Sequence, residues 1–166
     1  MSANSSGIGR FGSTNTMGSV HWRTQSRWLR PGLLFMVVQA ALVGVWALLA
    51  PRSFFRDFPA VGGAWVAALP PYNEHLVRDV GGLNLGFAVL FFTGASTLDV
   101  TLIRTSLGAW LLYSIPHFLF HITHMDRLSG SEKVLQTIAL GALIVLPVGL
   151  LLATRRRRVR GLGSIR

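Results

Sequence analysis

The chain contains no cysteine. That excludes disulfides, thiolate metal sites and a cysteine nucleophile, and it leaves the redox compartment open. Charge is scarce as well. Asp, Glu, Lys and Arg make up 13% of the 166 residues, against roughly a quarter in an average soluble domain. Acid is the scarcer sign, with six carboxylates to sixteen Lys and Arg. There is no internal repeat, and no shared motif supports an arrangement of two parallel halves.

What is present is apolar: hydrophobic residues are 51% of the chain. Four windows hold no Asp, Glu, Lys or Arg: Pro31 to Pro51, Val80 to Leu98, Thr105 to Met125 and Val134 to Thr154. Each approaches the ~20 residues a helix needs to cross a ~30 Å hydrocarbon layer. A protein of this size has room to bury one such helix, not four. The expected fold is therefore all-α: a polytopic membrane protein with four antiparallel transmembrane helices, at about 31–50, 74–98, 105–125 and 134–154. Short links after the second and third spans favour antiparallel neighbours in an up-down bundle.

The net charge of +10 raises nucleic acid as a partner, but its distribution argues for a membrane. Arg10, Arg23, Arg27 and Arg30 precede the first span, Arg104 stands before the third, and Arg155, Arg156, Arg157, Arg158, Arg160 and Arg166 follow the last. The other connections hold Arg52, Arg56, Arg78, Arg127 and Lys133 together with five of the six acids. Lys and Arg concentrate on the cytoplasmic side of membrane proteins. The chain is thus expected to be a multi-pass protein of the cell membrane with both termini cytoplasmic. The "RRRRVR" run is read as touching anionic lipid. No folded basic module accompanies it, so nucleic acid is not an expected partner.

Residues 1–30 are expected to form a disordered basic tail, because the Ser/Gly/Asn/Thr-rich start lacks apolar surface to offset chain entropy. Residues 155–166 form a second basic tail. Residues 51–73 are the longest connection, predicted extracytoplasmic. Phe54, Phe55, Phe58 and Trp65 suit them either to the membrane surface or to a cap over the helix ends. Asn73 is the expected N-cap of the second span and Ser131 that of the fourth.

The third window carries "SIPHFLFHITHMD". With 100° between successive helical residues, Trp110, Tyr113, Ser114, His117, His121 and His124 fall within an arc of roughly 100°. Leu111, Leu112, Ile115, Phe118 and Ile122 fall outside it. The polar stripe is expected to face the bundle interior and the remainder lipid. Pro116 frees the Leu112 carbonyl and is expected to kink the helix.

The second span opens "NEHLVRDVGGLNLG". Glu74, His75, Arg78 and Asp79 share one side of a wheel with Gly82 and Gly86, whose i,i+4 spacing suits close helix approach. Asn84 lies off that side. In an up-down bundle this segment and the end of the third span stand at similar depth. Four histidines, Glu74 and Asp79 are therefore expected to converge beneath residues 51–73. Gln39 and Gln136, lone polar residues in their spans, are read as hydrogen-bonding between helices.

Several chemistries suit such a cluster. His75, His117, His121, His124 and Asp79 are candidate ligands for a Zn, Cu or Fe ion, with Glu74, Arg78, Ser114, Tyr113 and Trp110 around them. Haem held by His75 and His117 or His121 is the second choice. A proton or anion pocket is a third, and plain interhelical hydrogen bonding is the structural alternative. An accessory or scaffold subunit of a larger membrane complex competes with all of these, and whether the chain is an enzyme stays open.

"PPYNEHLVRDVGGLNLG" followed one span later by "PHFLFHITH" resembles small four-helix membrane proteins of actinobacteria, loosely similar to the DoxX-like group. The resemblance spans about residues 31–154. It implies a four-helix bundle and no catalytic role.

Overall fold

The computed structural model describes residues 27–61 and 63–154, and all regular structure among them is helical. The basic tails expected at 1–30 and 155–166 lie almost wholly outside the described residues. The helices are α1 (Leu29–Leu49), α2 (Pro51–Asp57), α3 (Glu74–Thr97), α4 (Val100–Thr123) and α5 (Gly130–Ala153). α1, α3 and α5 are long and apolar enough to cross a membrane. This is a multi-pass membrane protein. α4 matches α3 and α5 in length at 24 residues but is not among the spans set by length and apolarity. Arg104, Pro116, His117 and His121 within it lower its hydropathy.

The helix starts follow local chemistry. The Asn73 side chain accepts from Leu76 N–H at 3.1 Å, and Asp99 does the same for Leu102 at 2.7 Å. α5 starts earlier than expected, so its cap is Ser129 rather than Ser131. Ser129 accepts from the Glu132 N–H while the Glu132 carboxylate accepts from the Ser129 N–H, a reciprocal box that satisfies two otherwise orphaned donors. Leu98, in the left-handed region at φ 54°, leads directly into Asp99 and turns α3 back into α4.

The four long helices form a ring in the order α1, α3, α4, α5. The closest approach is between α1 and α3. A Cβ on Gly81 would stand 2.7 Å from the Leu48 nitrogen and 3.0 Å from the Gly44 carbonyl oxygen. Small residues let backbones meet in lipid, where dispersion replaces the hydrophobic effect as the driving force. Gly82 and Gly86, expected to admit a close helix neighbour, face open space.

At the end of the bundle holding the α3–α4 turn the core is closed. Leu33, Met36, Phe91, Ile103, Leu107 and Trp110 are fully buried there, packed with Leu150. Proline shapes this core indirectly. Pro147 has no N–H for the Leu143 carbonyl, and Trp110 Nε1–H supplies the missing donor at 2.9 Å, tying α4 to α5. Pro116 lies inside α4 without ending it.

Arginines satisfy carbonyls at helix ends, which have no partner within their own helix. Arg30 donates to Ala95 O at 3.0 Å. Arg104 donates to Thr154 Oγ1 at 2.9 Å and to Thr154 O at 2.8 Å.

Candidate functional site

At the opposite end, α3 and α4 separate beneath residues 51–73 and leave a cavity of about 800 Å3. All six stripe residues of α4 line it: Trp110, Tyr113, Ser114, His117, His121 and His124. The reason is periodicity. One 3.6-residue stripe must face one direction, and this one is the least compatible with lipid.

The remaining wall is mostly apolar. α1 contributes Gln39 and Val43, α3 contributes Leu76, Val77, Val80 and Asn84, and α5 contributes Gln136, Leu140 and Leu143. The roof is aromatic, built from Phe54 and Phe55 of α2, Phe58 just after it, and Trp65. Edge-to-face and tilted contacts join Trp46, Phe54, Phe58 and Trp65, with centroids 4.7–6.2 Å apart. Residues 51–73 therefore close over the helix ends. Gly63, at φ +118°, abuts the Glu132 carboxylate, which brings this roof against the start of α5.

A chain of rings lines one side. His117 stacks on Tyr113 at 5.4 Å and meets His121 at 4.5 Å between centroids. Asn84 donates to Val80 O at 2.9 Å. Gln136 Nε2 lies 3.1 Å from His121 Nδ1. An amide nitrogen only donates, so His121 accepts at Nδ1 and carries its proton on Nε2. His124 is occupied otherwise. Its ring stacks on Phe120 at 4.1 Å, and its Nδ1 lies 2.9 Å from Phe120 O and 3.0 Å from Thr123 Oγ1, which finishes the C-terminus of α4.

Two polar atoms of residues that line the cavity are themselves fully buried and have no hydrogen-bond partner: Ser114 Oγ and Gln136 Oε1. Their residues are 5% and 1% exposed. Such an atom ordinarily costs about 1–3 kcal/mol, so native structures keep few of them.

The four polar residues that open α3 do not join this cavity. His75 pairs with Asp79 at 3.0 Å, with the two side chains 87% and 60% exposed. Glu74 and Arg78 pair at 2.9 Å and face a separate shallow groove with Arg52 and Arg56. Arg78 also donates to the Leu48 carbonyl at the end of α1. Close packing of Gly81 on α1 fixes the rotation of α3 and turns Asn73, Leu76, Val77, Val80 and Asn84 inward instead. The first turns of α3 project toward the roof, where polar side chains can meet water and are not forced inward. Next to that groove, burial and then the Glu74 carboxylate push the Tyr72 phenol above its ordinary pKa.

Among the described residues, no three His, Asp or Glu side chains form a group able to hold a metal ion. The pairing of His75 with His117 or His121 expected for haem is likewise not assembled, since His75 is off the cavity.

No protein-family model, curated protein or solved structure matches this chain. The resemblance read from "PPYNEHLVRDVGGLNLG" and "PHFLFHITH" therefore stands on those two stretches.

The α4 stripe was legible in the sequence. Missed as wall residues were Gln39, Asn84 and Gln136, although a lone amide inside the first, second and fourth charge-free windows was the available signal. Gln136 does bond between helices, whereas Gln39 donates within α1, to Met36 O at 3.3 Å.

Proposed function

We propose that this protein is a membrane-embedded binding protein that takes a small apolar molecule from the bilayer into the cavity between α1, α3, α4 and α5. In this reading α4 crosses the membrane as the fourth span, its polar stripe turned away from lipid. Both termini are cytoplasmic by the distribution of arginine, and residues 51–73 roof the cavity on the outer side. The observation that carries the reading is the cavity itself. Its size of about 800 Å3 falls within the range of small-molecule sites, and so does its character, an apolar wall bearing a few convergent polar groups.

A transition-metal site is the weaker reading. His121 Nδ1 is engaged by Gln136, His124 by its own helix end, and among the described residues no third donor joins His117 and His121. An accessory-subunit role has no observation of its own, because lipid accounts for the exposed apolar faces of α1 and α5.

The test is to extract the protein into native nanodiscs without detergent and identify co-purifying small molecules by mass spectrometry. Leu140→Trp, which fills the cavity from α5, is the control. A molecule present at near one per chain in the wild type and depleted in the variant is the expected result. The same lipid profile in both would overturn the proposal, and elemental analysis of the same sample tests the metal reading.

A further inference from the structure

The cavity opens on one side. Those of its lining residues that are exposed all fall within 70–76 and 120–127, at the start of α3 and the end of α4. The wall residues from α1 and α5 are buried or half-buried. The opening therefore lies between α3 and α4, the two helices that part beneath the roof.

Its rim is amphipathic. Leu76 and Phe120 line the cavity and are 59% and 51% exposed. Each stands within about one turn of its helix end, on the membrane side of the rim. Asn73, Asp126 and Arg127 also line the cavity and are exposed. They lie just beyond the same helix ends, on the water side. A molecule lying across this rim meets hydrocarbon below and polar groups above.

Charge names the polar part. All six carboxylates of the chain are among the described residues. Asp57 is held by Ser53 and Arg56, Glu74 by Arg78, and Asp79 by His75. Asp99 caps α4 and Glu132 caps α5. Asp126 is the exception, with no side-chain hydrogen bond or ion pair among the described residues. Arg127 is unpartnered in the same sense, whereas Arg30, Arg52, Arg56, Arg78 and Arg104 each hold a carbonyl, a ring or a carboxylate. Water satisfies exposed charges of this kind anywhere on a surface. These two, however, stand side by side with opposite sign on the path into the cavity. A lone anion at Arg127 is repelled by Asp126, and a lone cation at Asp126 is repelled by Arg127. A head that carries both charges satisfies both, and a guanidinium suits phosphate in particular.

We infer that the ligand is a single-chain zwitterionic lipid, its ammonium at Asp126, its phosphate at Arg127 and its chain passing between Leu76 and Phe120 to lie beneath Phe55 and Phe58. The cavity, about 800 Å3, is the size of a site for one drug-sized molecule, hence one chain. This rests on the proposed binding role and names its ligand class: the apolar part fills the cavity and the head stays at the rim.

Radiolabelled dodecylphosphocholine serves as the probe, with the full chain in nanodiscs of digalactosyldiacylglycerol, whose head is uncharged, and with empty nanodiscs subtracted. Competitors are dodecylphosphocholine itself, dodecyl phosphate, dodecyltrimethylammonium, dodecyl maltoside and the chainless glycerophosphocholine. Saturable binding is expected, with dodecylphosphocholine competing about fivefold better than the other three chain compounds, the scale of one exposed ion pair. Glycerophosphocholine is expected not to compete. In Asp126→Asn the zwitterion is expected to lose its advantage over dodecyl phosphate, and in Arg127→Gln its advantage over dodecyltrimethylammonium. Both variants are expected to keep binding the probe, which shows that the cavity is intact. Equal competition by dodecyl maltoside in the wild type would overturn the head assignment and leave the binding role standing. Preference for either single ion, or an unchanged order in both variants, would overturn the zwitterion. Competition by glycerophosphocholine would overturn the placement of the chain in the cavity. No saturable binding of the probe, while a molecule still co-purifies near one per chain, would overturn the zwitterionic lipid alone. No binding and no co-purifying molecule would overturn it together with the binding role.

Discussion

The two ends of the bundle are built from similar apolar helices and come out differently. At the closed end, Leu33, Phe91, Ile103 and Leu107 interlock with Trp110, and arginines tie α1 to α3 and α4 to α5. At the roofed end the same four helices enclose about 800 Å3 and leave two buried polar atoms unpartnered. One end satisfies itself and the other keeps hydrogen-bonding capacity in reserve. Stability is expected to be concentrated in the first and binding in the second.

Substitutions at both ends test that division. Leu107→Ala at the closed end is expected to have the largest effect, a loss of about 2 kcal/mol. That is the low end of the range for large-to-small core changes, because lipid takes over the apolar transfer term and packing is what is lost. Unfolding in mixed micelles with rising SDS measures it. If Leu140→Ala on the cavity wall costs as much, the two ends are not different in kind.

Gly81→Val comes next. Its side chain meets α1 backbone, and overpacking of this sort costs about 1–3 kcal/mol. Gly82→Val, one residue on, faces open space and is expected to leave the SDS midpoint nearly unchanged. Equal effects would place the α1–α3 contact elsewhere.

Ser114→Ala is expected to run the other way, with stability unchanged or raised by up to about 1 kcal/mol, since it deletes an unpartnered hydroxyl. A clear loss in the same titration would show that Ser114 Oγ has a partner in the membrane-bound protein. His75→Gln should have the smallest effect, on both unfolding and ligand content, because its ion pair with Asp79 is exposed and such pairs contribute little. A loss of ligand in that variant would bring His75 back to the cavity.

Much of the fold was legible in residues taken one segment at a time. α3 was expected at 74–98 and runs Glu74–Thr97, with Asn73 capping it. The boundaries of α4 and α5 moved because Asp99 and Ser129 cap earlier than the charge-free windows begin. The site was half legible. The α4 stripe emerged from spacing alone, but the partners assigned to it from α3 were wrong. Glu74, His75, Arg78 and Asp79 share a side of their helix, yet no wheel says which way that side turns. Gln136, which bonds His121, lies in a different span, and nothing local to either residue links them.

The sequence by itself determined the charge-free segments, the caps that start three of the helices and the angular stripe of α4. Each is set within a few residues, by hydrogen-bonding groups next to one another or by the fixed turn of a helix. Only the tertiary structure decided which face of α3 looks inward. That rotation comes from the Gly44–Gly81 contact, which joins two segments far apart in the chain. With it came the replacement of an acid-and-histidine cluster by an apolar cavity carrying amides, hydroxyls and three imidazoles.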